Sequence, residues 1–142
     1  MAIKALAPAK INLGLEILGK RADGYHEVDM IMQSINLYDE VEIEFSNDET
    51  ISVFCDKELD CKLENNIAYK AAEIFFDYTG IKNPGIIIRI NKNIPLSAGL
   101  AGGSSDGAAV LLILDFMFRA GLNISQLLNL GAKVGSDVPF CI

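Results

Sequence analysis

The chain has 142 residues, 51% of them hydrophobic, and a formal net charge of −7. That size and apolar content fit one domain with a real core and exclude a disordered segment. The acidic balance argues against charge-driven binding to nucleic acid, so any bound phosphate must meet locally concentrated positive charge.

No apolar run reaches the roughly 18 residues of a membrane span. The N-terminal stretch Met-Ala-Ile-Lys-Ala-Leu-Ala-Pro lacks the apolar region of a signal peptide. A cytoplasmic protein with no membrane or nucleic-acid partner is the expectation. Cys55, Cys61 and Cys141 form no C-x-x-C pair, and His26 is the one histidine. Packing thiols in a reducing compartment fit better than a zinc site or disulfides.

In chain order, Ile3–Ala7 and Ile11–Leu18 read as two strands, or one bent strand interrupted at Pro8. A polar turn with two glycines follows at Gly19–His26. Glu27–Ile35 resumes an apolar pattern, and Val41–Phe45 alternates as a half-buried strand. Ser46–Thr50 predicts a turn, Ile51–Cys55 a strand, and Asp56–Asn65 an irregular segment. Ile67, Ala71, Ile74 and Phe75 share one helical face, so a helix is predicted over Ile67–Tyr78. Asn65 or Asn66 would cap it and Gly80 would end it. Gly85–Ile90 is β-branched and fits a buried strand.

Pro95–Gly107 reads P-L-S-A-G-L-A-G-G-S-S-D-G and opens into the apolar run Ala108–Phe118. So little side chain lets the backbone approach a ligand. A helix starting near Ser105 would aim free N–H groups and the positive end of its dipole at the loop, which suits an anion such as phosphate. A ligand-free Gly/Ser loop is the plain alternative. The spacing fits neither a Walker A loop, since Ser104 stands where its second glycine belongs and no lysine follows, nor a G-x-G-x-x-G fingerprint. That helix would end at Ala120-Gly121. A second helix is predicted over Ile124–Val134, capped by Asn123 or Ser125. Gly135–Ile142 reads as a turn entering a strand. A chain stopping there on an apolar residue reads as the front part of a longer protein. The pattern, strands first and then strand–helix–helix–strand, is α+β (mixed α/β).

Four stretches together resemble the GHMP family of small-molecule kinases, named for galactose, homoserine, mevalonate and phosphomevalonate. They are Ala7-Pro8-Ala9-Lys10-Ile11-Asn12-Leu13, Gly19-Lys20-Arg21-Ala22-Asp23-Gly24-Tyr25-His26, the glycine loop, and Gly135-Ser136-Asp137-Val138-Pro139. The resemblance implies that residues 1–142 are an N-terminal ATP-binding domain similar to the second domain of ribosomal protein S5. A C-terminal ferredoxin-like domain would follow in the full-length protein. It implies ATP and Mg²⁺, and transfer of the γ-phosphoryl group to a cytidine diphosphate-linked polyol. The K-R-x-D-G-Y-H segment narrows that acceptor to the 2-hydroxyl of 4-diphosphocytidyl-2-C-methyl-D-erythritol.

By the same resemblance, Lys10 and Asp137 match the catalytic pair. Asn66 and Lys92 match positions lining the nucleotide pocket. Pro95, Leu96, Ser97, Ala98, Gly99, Leu100, Ala101, Gly102, Gly103, Ser104 and Ser105 match the loop under the ATP phosphates. Asn12, Tyr25 and His26 match substrate-binding positions. The chemistry is apt: an aspartate can accept the hydroxyl proton, and a lysine offers charge to the moving phosphoryl group. Ser104 or Ser105 can hold a phosphate oxygen or Mg²⁺. Each residue also has a plainer use. Lys10 could be a solvated lysine, Asp137 a turn residue, His26 or Tyr25 structural, and Asn66 a helix cap. Asp106 could cap the glycine-loop helix, and Gly107 should loosen its start relative to alanine. A nucleotide-binding fragment inactive without its second domain is the alternative function, and an RNA-binding module the third.

Overall fold

The computed structural model describes residues 2–22, 24, 26–57 and 63–142. Tyr25 and Cys61, singled out above, lie outside the described residues.

A four-stranded sheet in the order β1-β2-β4-β3 carries the helices on one face. Strand β1 is Ala2–Lys20, β2 His26–Phe45, β3 Ile51–Cys55 and β4 Ile86–Asn91. The β1–β2 and β2–β4 pairs are antiparallel, and β3–β4 is parallel. The parallel pair is joined through helix α1, Ile67–Thr79, as a crossover of that kind requires. Helix α2 is Gly102–Phe118, α3 is Ile124–Val134, and a short α4 is Val138–Cys141.

Period-two patterning sets the buried face. Val41 and Ile43 of β2 and Ile86, Ile88 and Ile90 of β4 point inward. They meet Ala68, Ala71, Ala72 and Phe75 of α1 and Val110, Leu111 and Leu114 of α2. Each large side chain so buried contributes about 1.5–3 kcal/mol. Phe118 closes the core edge-on against Phe45, at 5.6 Å, and Phe76, at 5.3 Å. The outer face carries ion pairs such as Lys4–Glu42 (3.1 Å) and Arg89–Glu44.

Helices α1 and α3 follow their sequence signals closely. Asn66 caps α1 by accepting from the Ala68 N–H, and Gly80 ends it with φ 68°. Asn123 and Gln126 form a reciprocal capping box on α3.

The first segment takes the second of its two readings, one bent strand, because Pro8 sits at a bulge and does not end the pairing. Four readings change. Glu27–Ile35 and Val41–Phe45 are likewise parts of the single strand β2. β4 buries one face, with Arg89 exposed on the other. Helix α2 starts three residues before Ser105 and is closed by Arg119 in the left-handed conformation, ahead of Ala120-Gly121. The final Gly135–Ile142 segment is a turn into α4, not a strand: Pro139 suits a first helical turn, and Val138 packs into the core. Gly107 is also a packing residue. A Cβ there would lie 2.7 Å from Ile67 Cγ2. Gly103 and Gly107 thus leave a groove on α2 in which Ile67 of α1 seats.

Candidate active site

The glycine loop begins after Ile94, three residues beyond the end of β4, and enters α2 at Gly102. Ser97, Gly99 and Ala101 all have positive φ, at 55°, 73° and 57°. For Ser97 and Ala101 that costs of order 1 kcal/mol each, the kind of local strain that clusters at ligand clamps. Ala101 is the N-cap of α2 and supplies no side-chain cap. The first N–H groups of α2 therefore lack the partners that a Ser or Asp cap would give them, and the helix dipole points at the loop. Loop residues Leu96–Ser104, with Ile67, Lys92 and Pro95, line a hollow of ≈ 210 Å³.

The bulge in β1 ties this loop to the sheet. Pairing steps from Pro8–Tyr38 to Lys10–Ser34, which skips Ala9 on one strand and three residues on the other. Bulges re-aim side chains. Here the Lys10 N–H donates to the Leu100 carbonyl at 3.0 Å. The Lys10 ammonium then sits 3.6 Å from Asp137 Oδ2 and donates to Asn12 Oδ1 at 3.2 Å. Lys10 is 6% exposed, whereas the Asp137 side chain is 37% exposed and open to a ligand. Asp137 stands in the turn just before α4, so α4 and the bulge bring together groups far apart in the chain. Neighbouring Cys141 has its thiol pKa raised, first by burial and then by the Asp137 charge.

Behind the loop lies a buried ionic cluster. The Lys92 ammonium contacts Asp39 Oδ2 and donates to Asp106 Oδ2 at 2.7 Å. Asp39 is fully buried, and Lys92 and Asp106 are each 4% exposed. Burial works against the Lys92 charge, but the two carboxylates outweigh it and raise its pKa. Burial pushes the Asp106 carboxyl up to about 7 against the opposing pull of Lys92. Its Oδ1 and the Ser105 hydroxyl are buried without a hydrogen-bond partner among the described residues. Asp106 is therefore an ion-pair partner and not the helix cap.

A second hollow, ≈ 240 Å³, adjoins the loop between Asn66, Ile67, Lys92, Leu96, Gly103 and Asp106. The Ile67-in-groove packing brings Asn66 to its edge. The Asn66 oxygen is engaged by the α1 cap, so contact with a base would fall to its amide nitrogen. Asn12 is exposed beside Lys10. His26 is exposed at the opposite end of the β1–β2 ribbon, across from Lys20. Ten residues of strand separate Lys20 from Lys10, at most about 33 Å.

The sequence profile described as GHMP kinases N terminal domain matches residues 66–142. The chain belongs to the GHMP kinase family. It is 49% identical over 140 residues to 4-diphosphocytidyl-2-C-methyl-D-erythritol kinase of Clostridium perfringens, covering 99% of this chain and 48% of that protein. It is 54% identical over 134 residues to the protein of the same name from Alkaliphilus metalliredigens, covering 94% of this chain and 46% of that one. A crystal structure of 4-(cytidine 5'-diphospho)-2C-methyl-D-erythritol kinase superposes with a TM-score of 0.81 at 37% identity, over 98% of this chain and 48% of that one. The chain thus spans about half the length of the relatives it matches, and its α+β fold is that of a GHMP kinase N-terminal domain.

In this GHMP kinase domain, Asp39 is the residue near the loop that sequence reasoning missed. The signal was present: Asp39 shares strand parity with Val41 and Ile43, all fully buried. A carboxylate in phase with an inward-facing apolar set must find a buried partner. No helix of the described residues is long and apolar enough to cross a membrane.

Proposed function

We propose that the complete protein transfers the γ-phosphoryl group of ATP to the 2-hydroxyl of 4-diphosphocytidyl-2-C-methyl-D-erythritol, a step of the non-mevalonate isoprenoid route. The observation that carries this reading is the Lys10–Asp137 pair at 3.6 Å, bonded through the Lys10 backbone to a glycine loop that opens an uncapped helix. The names of relatives 49–54% identical to the chain support the choice of acceptor.

The N–H groups at the start of α2 hold the ATP phosphates without a lysine of the loop's own. Asp137 orients the acceptor hydroxyl and takes its proton as the phosphoryl group arrives. That alcohol is tertiary and hindered, so orientation matters more than usual. Lys10 places a positive charge where the transferring group accumulates negative charge. Mg²⁺ supplies charge neutralisation across the phosphates. Among the described residues no cluster of three or more His, Cys, Asp or Glu forms a metal cage. The Ser104 hydroxyl is the group of this chain that would hold the ion beside the phosphates. Ser105, at 1% exposure, is the less accessible of the two serines. Asn66 and the hollow beside it take the nucleotide base, and Asn12, Tyr25 and His26 the cytidyl and methylerythritol end. Lys92 shapes the pocket and does not deliver free charge, because two carboxylates already engage it. A C-terminal ferredoxin-like domain completes the pocket, and the protein works in the cytoplasm.

The test is acceptor-dependent ADP release by the complete protein. Asp137→Asn should lower kcat by at least about 100-fold, the usual worth of a positioned general base. Undiminished turnover removes Asp137 from this role. Preference for galactose, homoserine or mevalonate as acceptor overturns the substrate assignment. The half-length match favours a second reading for the isolated 142 residues: they bind nucleotide without turnover, which calorimetry with ATP on this chain and on the complete protein separates.

A further inference from the structure

We infer that Asp39, Lys92 and Asp106 form a buckle that fixes both ends of the glycine loop, with Asp39 and Asp106 as positioning residues for nucleotide binding. This deepens the reading of the loop as a phosphate site and rests on it.

The loop has two anchors. On the β4 side, Asp39 Oδ1 accepts from the backbone N–H groups of Asn93, at 2.6 Å, and Ile94, at 2.8 Å. Those are the residues immediately before Pro95. On the helix side, Lys92 reaches Asp106 in the second turn of α2. Lys92 also packs under the first turn, where a Cβ on Gly102 would fall 3.1 Å from its ammonium. Asp39 Oδ2 and Lys92 join the two anchors. The Lys92 backbone N–H is held separately by Asp56 Oδ1 at 2.8 Å. Seven residues, Pro95–Ala101, are thus suspended between ends fixed by one cluster, and three of them have positive φ. A loop held in sparsely populated conformations keeps them only when its surroundings over-determine it.

Stability alone does not account for the cluster. Buried ion groups are often matched or exceeded in stability by apolar residues of similar size, and their better-attested use is to specify geometry. The geometry specified here is the direction of the first N–H groups of α2. Asp39 uses both carboxylate oxygens, one for each anchor. An amide has a single acceptor oxygen and can serve only one.

The decisive measurement is binding of a non-hydrolysable Mg·ATP analogue to the complete protein by calorimetry, beside hydrogen exchange of residues 97–104. Asp39→Asn should weaken binding at least about tenfold and speed exchange of the loop amides, with the KM for the acceptor within about threefold. Asp106→Leu should weaken nucleotide binding too, and Asp106→Asn, which keeps one acceptor for Lys92, should weaken it less. Phe76→Leu, in the aromatic core away from the loop, should lower the Tm while leaving nucleotide affinity unchanged. If Asp39→Asn does not fold, the Asp106 pair decides. Binding within twofold of wild type in Asp39→Asn or Asp106→Leu overturns the buckle and leaves the phosphate site standing. So does equal weakening in Phe76→Leu at a matched loss of Tm. Absence of analogue binding by the wild-type protein overturns both.

Discussion

Replacing Gly107 with alanine sets local helix propensity against tertiary packing, and the two predict opposite signs. In an isolated helix the change should stabilise by about 1 kcal/mol. In this fold the new methyl would stand 2.7 Å from Ile67 Cγ2 and 3.4 Å from Val134 Cγ1. The nearer contact needs relief of several tenths of an ångström. Ile67 is β-branched and sits in the first turn of α1, where its χ1 is strongly restricted. It cannot swing aside, so α1 must move away from α2. Overpacking of this kind costs about 1–3 kcal/mol. The net expectation is destabilisation by about 1 kcal/mol, or about 2–4 °C in Tm for a domain of this size. Thermal and urea unfolding of the complete protein measure it. A double-mutant cycle isolates the cause: adding Ile67→Ala should recover at least about 0.5 kcal/mol relative to the sum of the single changes. Because Asn66 immediately precedes Ile67, nucleotide affinity should fall as well. A rise in Tm for Gly107→Ala, or additive behaviour in the cycle, refutes the steric reasoning.

Asp106 predicts a pH dependence. Its folded pKa is raised from the ordinary 3.8 to about 7, so between those values the folded state keeps a proton that the unfolded chain releases. Its contribution to stability is therefore lost as pH rises from about 4 to 7 and is constant above that. Thermal melts across that window should fall more steeply for wild type than for Asp106→Asn, and equal slopes would remove Asp106 as the cause. Gly85→Ala should destabilise by more than about 2 kcal/mol, since φ is 101° and a Cβ would lie 2.1 Å from the Asp48 carbonyl oxygen. Urea unfolding checks it, and a loss under about 0.5 kcal/mol would contradict that close approach.

Elements with local signals were legible. Helices α1 and α3 announce themselves through apolar spacing and asparagine caps, whose hydrogen bonds close within three residues. The length of β1 and β2 was not legible, because a bulge at Pro8 and polar outward residues look like strand ends when the partner strand is unknown. Val138–Cys141 is β-prone in composition and becomes helical through packing: Val138 lies over Gly131, where a Cβ would meet its Cγ1 at 3.1 Å. The glycine loop was visible from its composition, while its left-handed residues Ser97 and Ala101 carry no such mark. The pairing of Lys10 with Asp137 came from family resemblance alone, since no spacing rule links residues on separate elements so far apart. The partners of Lys92 were hidden for the same reason: Asp39 and Asp106 meet it only after the sheet and α2 assemble.

The uncapped start of α2 bears on how a polyanion reaches the loop. Its attraction comes from backbone dipoles that act over a few ångströms, whereas the chain as a whole carries −7 and repels at longer range. Salt shortens the long-range repulsion, with a Debye length of about 8 Å at physiological ionic strength, and leaves contacts inside the hollow little changed. Moderate salt therefore speeds the approach of a nucleotide without loosening its hold, the reverse of what a basic phosphate-binding surface does.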